Sequence, residues 1–79
     1  MSHPDTQPLP QHQTGRYRHY RGGEYQVLYL ARHSETEEPL VIYQQLDKNT
    51  GWWARPQSMF FGEVEVDGQP QPRFLRIGE

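Results

Sequence analysis

The sequence predicts an all-β fold, a small SH3-like barrel of five to six short strands with one helical turn near residues 56–60. Three observations carry this prediction. Apolar and polar residues alternate with a period of two through much of residues 15–79. All ten aromatic residues lie after residue 14, where a domain without disulfides needs them for its core. No stretch of ten or more residues repeats apolar positions at helical spacing. Several short strands in so short a chain bury a shared core by curling into a barrel. An OB-like barrel ranks second, because it usually contains a longer helix.

The elements follow in order. Residues 1–14 contain Pro4, Pro8 and Pro10 among polar groups, with only Met1 and Leu9 as sizeable apolar side chains. Burial of so little apolar surface does not offset the entropy of ordering, so a disordered Pro/Gln-rich tail is expected, followed by a single domain over 15–79. Arg16–Tyr20 reads as the first strand and Gly22-Gly23 as a break. In Glu24–His33, Tyr25, Val27, Tyr29, Ala31 and His33 alternate with Gln26, Leu28, Leu30 and Arg32. Apolar groups on both faces mark it as a central strand. Glu35–Pro39 is a polar turn, and Leu40–Leu46 is the third strand. Asp47–Gly51 has turn composition. Trp52–Arg55 is a fourth strand ended by Pro56, which suits the first position of a helical turn. Phe61–Val66 and Arg73–Ile77 complete the set. Asp67-Gly68 between them is a hairpin signal, and Gln69–Pro72 reads as a stiff linker.

Composition narrows the function classes. The chain has 79 residues, a mass of 9.4 kDa and no cysteine. That excludes a disulfide framework, a thiolate metal site and a cysteine nucleophile. No apolar run approaches the roughly 18 residues of a membrane span, and the first residues lack signal-peptide order. A cytoplasmic protein without a membrane partner is therefore expected. The formal net charge is −2, which argues against a strongly basic nucleic-acid binder. The charge is unevenly spread. Residues 15–33 hold four Arg and one Glu, a net of +3; residues 34–79 hold Lys48 and three Arg against eight acids, a net of −4.

Three groups of residues carry candidate chemistry. His33 and Glu35, two apart, point to one side of a strand, and Ser34 points to the other. Adjacent strand residues are poorly placed as nucleophile and base, so the trio makes no triad by itself. A polar turn bonded to local backbone is the structural reading; ligand contact is the functional one. Arg16, Arg18, Tyr20 and Arg21 interleave cations with rings, which suits stacking on bases or gripping an anion. An edge strand protected by charge is the structural reading. Trp52 and Trp53 face opposite sides, so one is expected in the core and the other outside beside Arg55, as in an interface hot spot. Arg55 packed on a ring is the structural alternative. No spacing of His and acids matches a metal motif, and no phosphate-binding glycine motif occurs, so no metal or cofactor is expected.

Several segments together resemble one bacterial family, the domain of unknown function DUF1653. They are Tyr17–Leu28, Ala31–Glu35, Val41–Tyr43, Trp53–Phe60 and Pro72–Phe74. The similarity covers residues 15–77 and implies a compact SH3-like barrel and no particular activity. Arg21 stands where the family usually has Lys, which keeps the charge but changes the donor geometry. Leu46–Thr50 departs from the family's commoner Leu-Tyr-Gly, and the Pro-rich tail lies outside the domain. Within the matched segments, Gly22, Pro56, Met59 and Phe74 are expected to be structural. His19, His33, Ser34, Glu35, Tyr43, Trp53 and Arg55 are expected to converge on one concave patch.

The leading expectation is a non-catalytic binding module with that patch for a peptide or small anionic ligand. The alternative is an RNA or single-stranded DNA module acting through Arg16, Arg18, Tyr20 and Arg21. A small enzyme with His33 as base and Glu35 orienting it ranks last, because so small a barrel excludes little water.

Overall fold

The computed structural model describes residues 6–79. In chain order they form β1 (Gly15–His19), β2 (Glu24–Arg32), β3 (Pro39–Gln45), β4 (Trp52–Pro56), α1 (Gln57–Phe60), β5 (Glu63–Val66), β6 (Gln69–Pro72) and β7 (Phe74–Gly78). Five strands make one antiparallel sheet in the order β4-β3-β2-β1-β7, and β5 pairs with β6 in a separate hairpin. The domain is all-β with a single helical turn, as the sequence predicts. Pro56 ends β4 and caps that turn, so the helical residues are Gln57–Phe60.

Two features depart from the expected barrel. The sheet does not close: β4 and β7 are its two edges, and the β5–β6 hairpin pairs with itself instead of bridging them. The described residues also form seven strands rather than five to six, the extra one being β6 where the sequence predicts a linker. Its prolines explain both the strand and its concealment in the sequence. Asp67 (φ 52) and Gly68 (φ 79) form a two-residue turn with both centres left-handed, the geometry that suits strand twist. Val66 then faces Gln69, and Val64 faces Gln71, at the hydrogen-bonded positions. Pro70 and Pro72 fall opposite Glu65 and Glu63 at the intervening positions, where a missing N–H breaks no bond to β5.

A bulge re-aims β2. Val27 pairs with Tyr43 and Tyr29 with Ile42, so Leu28 is an extra residue without a partner in β3. Alternation restarts after it. Val27 and Leu30 both face inward and are buried, whereas Tyr29 is turned out and 60% exposed. The strict alternation read from the sequence had placed Tyr29 beside Val27 and Leu30 opposite.

The core is Tyr17, Val27, Leu30, Val41, Phe60 and Phe74. The helical turn delivers Phe60, fully buried, onto Phe74, with ring centroids 4.0 Å apart and planes within 3°. Tyr17 meets Phe60 and Phe61 edge-on, at 5.6 and 5.7 Å. Edge and stacked contacts of this kind add to the area they bury.

Residues 1–5 of the expected tail lie outside the described residues. From Thr6 onward the chain runs beside β2. The Gln11 amide accepts from Leu30 N–H at 2.9 Å and donates to Leu30 C=O at 3.0 Å, like a single residue of an added strand. Leu9 packs against the core. Tyr17 Oη donates to Gln13 C=O at 2.8 Å, Gln57 Nε2 donates to Gln13 Oε1 at 2.8 Å, and Arg76 donates to Thr14 C=O. Thr6 Oγ1 donates to Glu37.

Candidate functional site

Strand register decides which side chains share the inner face. Residues paired directly across an antiparallel ladder point to one side. His19 pairs with Phe74, Tyr43 with Trp53, and Arg55 with buried Val41. His19, Tyr25, Tyr43, Trp53 and Arg55 therefore lie on the same face as the core. The helical turn covers one part of this face. The part carrying these five residues is left only half-covered, and Trp53 is 51% exposed.

The rings form a continuous wall. His19 meets Phe74 at 4.9 Å and Tyr25 at 6.5 Å. Tyr25 meets Tyr43 at 5.8 Å, and Tyr43 meets Phe60 at 5.3 Å. Trp53 is fixed by its Nε1–H, which donates to Thr50 Oγ1 at 3.0 Å. Gly22 (φ 98) and Gly23 (φ 85) make the tight β1–β2 turn beside His19, with Gly22 N–H donating to His19 C=O.

Charge on this face is positive. Burial, then Arg73, Arg21 and Arg55, push the His19 imidazole below its ordinary value of 6.5. Among the described residues no acid offsets them. Arg21 N–H donates to His19 Nδ1 at 3.2 Å, so the neutral ring carries its proton on Nε2. Arg73 Nε–H is buried without a hydrogen-bond partner. A buried donor left in that condition costs roughly 1–3 kcal/mol. Among the described residues, Arg21, Arg55 and Arg73 make no ion pair.

Of the seven residues expected to converge, the structure brings together His19, Tyr43, Trp53 and Arg55. It separates His33, Ser34 and Glu35, which lie in an exposed turn after the far end of β2. There His33 Nδ1 accepts the backbone N–H groups of Glu35 (3.1 Å) and Thr36 (3.3 Å), so the imidazole caps the turn. Glu35 meets His33 through its amide, not its carboxylate. The physical reason for the split is strand length: β2 spans nine residues, with His33 just past one end and His19 beside the other.

The Arg/Tyr segment is divided as well. Arg16 and Arg18 point to the outer face, and Arg18 pairs with Glu24 at 3.5 Å. Tyr20 and Arg21 turn toward His19: the rings of His19 and Tyr20 are 4.6 Å apart, and the Arg21 guanidinium lies 5.4 Å from the Tyr20 centroid. The expectation of one core tryptophan is corrected too. Trp52 is 65% exposed on the outer face, where its Nε1–H donates to Gln44. Both tryptophans are exposed because β4 is an edge strand. Sequence reasoning did not assign Tyr25 or Arg73 to the site. Tyr25 was legible from its two-residue spacing to Val27; Arg73 carried only its position before Phe74. Among the described residues, no helix is long and apolar enough to cross a membrane.

No curated protein matches the sequence. A crystal structure of a DUF1653 protein from Bordetella bronchiseptica is similar, with 38% sequence identity and a TM-score of 0.76, over 84% of this chain and 87% of that one. The sequence profile described as "Protein of unknown function (DUF1653)" matches residues 15–76, which takes in the sheet up to the middle of β7, the helical turn and every residue of the aromatic wall. The chain belongs to the DUF1653 family, whose function is unknown.

Proposed function

We propose that this chain is a non-catalytic binding module that takes a peptide or small anionic ligand on the open part of its inner face. One observation carries the reading: an aromatic wall of His19, Tyr25 and Tyr43, with Trp53 paired across the ladder to Tyr43, carries arginines on the same face that have no acidic partner among the described residues. Exposed Trp53 and Arg21, with half-buried Tyr25, Tyr43 and Arg55, are of the residue types that dominate binding energy at interfaces. The Tyr20–Arg21 contact belongs to the same end of the molecule and favours an anion over a cation. The nucleic-acid reading is weaker, because Arg16 and Arg18 face away from the wall and Arg18 is already paired.

NMR titration of the labelled protein tests this. A mixed peptide library, nucleotides, and short RNA and DNA oligomers are added at low and then moderate salt. Shifts of the Trp53 indole and the Tyr25 and Tyr43 amides that survive added salt are expected with peptide or small anion. Shifts confined to Arg16 and Arg18 that collapse with salt transfer the role to nucleic acid. No shift with any probe overturns the reading and leaves the wall as packing.

A further inference from the structure

The main sheet has two free edges, and they are built differently. β7 carries exposed Arg76 and a bulge at Ile77, since Arg16 pairs with Gly78 and Tyr17 with Arg76. Charge and bulges are the usual means of keeping an edge from pairing with another chain. β4 pairs with β3 in unbroken register and holds neither a lysine nor an acid. Its two indoles are exposed, Trp52 on the outer face and Trp53 on the inner one, and Ala54 beside them is exposed as well. Both indole N–H groups are already bonded, to Gln44 and Thr50, so what they offer a neighbour is ring surface.

The hydrogen-bond phase of the sheet fixes which backbone groups reach this edge. Leu46 N–H donates to Glu24 C=O (2.9 Å), and both backbone groups of Leu30, opposite Val41, are taken by Gln11. Tyr43 and Val41 therefore turn their N–H and C=O groups away from β2 to β4, where they meet Trp53 and Arg55. Trp52, Ala54 and Pro56 turn theirs to the open edge, Pro56 with a C=O alone. Among the described residues no loop backbone bonds to them. We infer that β4 pairs antiparallel with β4 of a second copy, Ala54 opposite Ala54 on the two-fold axis. This register overlaps the whole strand and makes four backbone bonds: a reciprocal pair between the two Ala54 residues, and at each end Trp52 N–H donating to Pro56 C=O. Trp53 then lies across from the partner's Arg55 on the inner face, a cation against an indole, twice. Arg55 has no acidic partner among the described residues, so this contact gives its charge a place. The neighbouring registers of the same phase lose it: one sets Arg55 against Arg55, the other leaves Arg55 opposite Gly51. A strip complementary to itself in this way selects a second copy over an unrelated strand. This pairing goes beyond the proposed ligand face and does not depend on it.

Sedimentation of the full chain is followed from about 10 µM to about 1 mM, because a single strand-to-strand contact is small for a specific interface. The mass is expected to rise from 9.4 kDa and level off at twice that value. Amide exchange at Trp52 and Ala54 is expected to slow over the same range, with the β7 amides unchanged. Ala54→Lys places two cations on the axis and is expected to raise the dissociation constant about tenfold or more, with the circular dichroism of the monomer unaltered. Arg55→Gln removes both contacts to Trp53 and is expected to weaken the dimer about fivefold or more. Leu75→Lys, on β7, leaves the midpoint where it is. A chain still monomeric at the highest concentration, a mass that grows past the dimer, or an unchanged midpoint in either Ala54→Lys or Arg55→Gln overturns the pairing. If the chain stays monomeric while an extended peptide slows exchange at Trp52 and Ala54, the edge takes a peptide and the dimer fails.

Discussion

Replacing Gln11 by Ala removes two hydrogen bonds that join residues far apart in sequence. The Gln11 amide satisfies both Leu30 N–H (2.9 Å) and Leu30 C=O (3.0 Å), and Leu30 itself is only 5% exposed. Each such bond contributes about 0.5–1.5 kcal/mol net, and an unpaired buried group costs somewhat more. Gln11 is exposed, so water replaces part of what is lost. Together these give a loss of about 1.5–2 kcal/mol. In a domain of this size that lowers Tm by roughly 6–16 °C. Thermal melts followed by circular dichroism read the global effect, and amide exchange at Leu30 reads the local one. Gln11→Glu separates the two bonds: its carboxylate still accepts from Leu30 N–H but faces Leu30 C=O without a donor. It is expected to fall between wild type and Gln11→Ala. A Tm within about 2 °C of wild type for Gln11→Ala, with Leu30 exchange unchanged, would show that residues 6–14 do not hold β2.

Other positions give further tests. Phe60→Ala empties the fully buried site stacked on Phe74 and is expected to cost about 3–5 kcal/mol, read by urea denaturation. Gly15→Ala places a Cβ 2.5 Å from Gly78 C=O at a φ of 137°, and is expected to cost about 1–3 kcal/mol with loss of β1–β7 protection in amide exchange. His19 has a folded pKa below its unfolded value, so the unfolded state takes up the proton first as pH falls. The resulting stability is present above about pH 6.5 and lost on acidification toward the folded pKa. Stability measured against His19→Gln is expected to decline over that range, and a difference independent of pH would contradict the assignment.

The strands were legible because alternation and turn residues agree locally. Tyr17, Val27, Val41 and Phe74 sit where a two-residue period puts them. What alternation does not carry is an added residue. Leu28 has no sequence mark as a bulge, yet it decides whether Leu30 or Tyr29 enters the core. Pro70 and Pro72 argue against a strand to any rule that counts prolines, and only pairing shows that their missing N–H groups face away from β5. The barrel was inferred from strand number, and closure depends on which edges meet, a long-range property. The site divides in the same way. His19, Tyr43, Trp53 and Arg55 converge through register across five strands, whereas His33, Ser34 and Glu35 neighbour one another along the chain and stay local.

The bulge at Leu28 also bears on how the gene can change. Removing one residue from a strand ordinarily turns every following side chain to the wrong face. Here the reverse holds. Without Leu28, Val27 would be followed by Tyr29 outward and Leu30 inward, which is the unbroken alternation that the pairing with Tyr43, Ile42 and Val41 already demands. Position 28 is thus the place in β2 where a codon can be lost with the frame of inward and outward residues kept. A deletion at Ala31 taken up by the same bulge would instead turn Tyr29 inward and Leu30 outward. Length variation among family members within this strand is expected to concentrate at that single point.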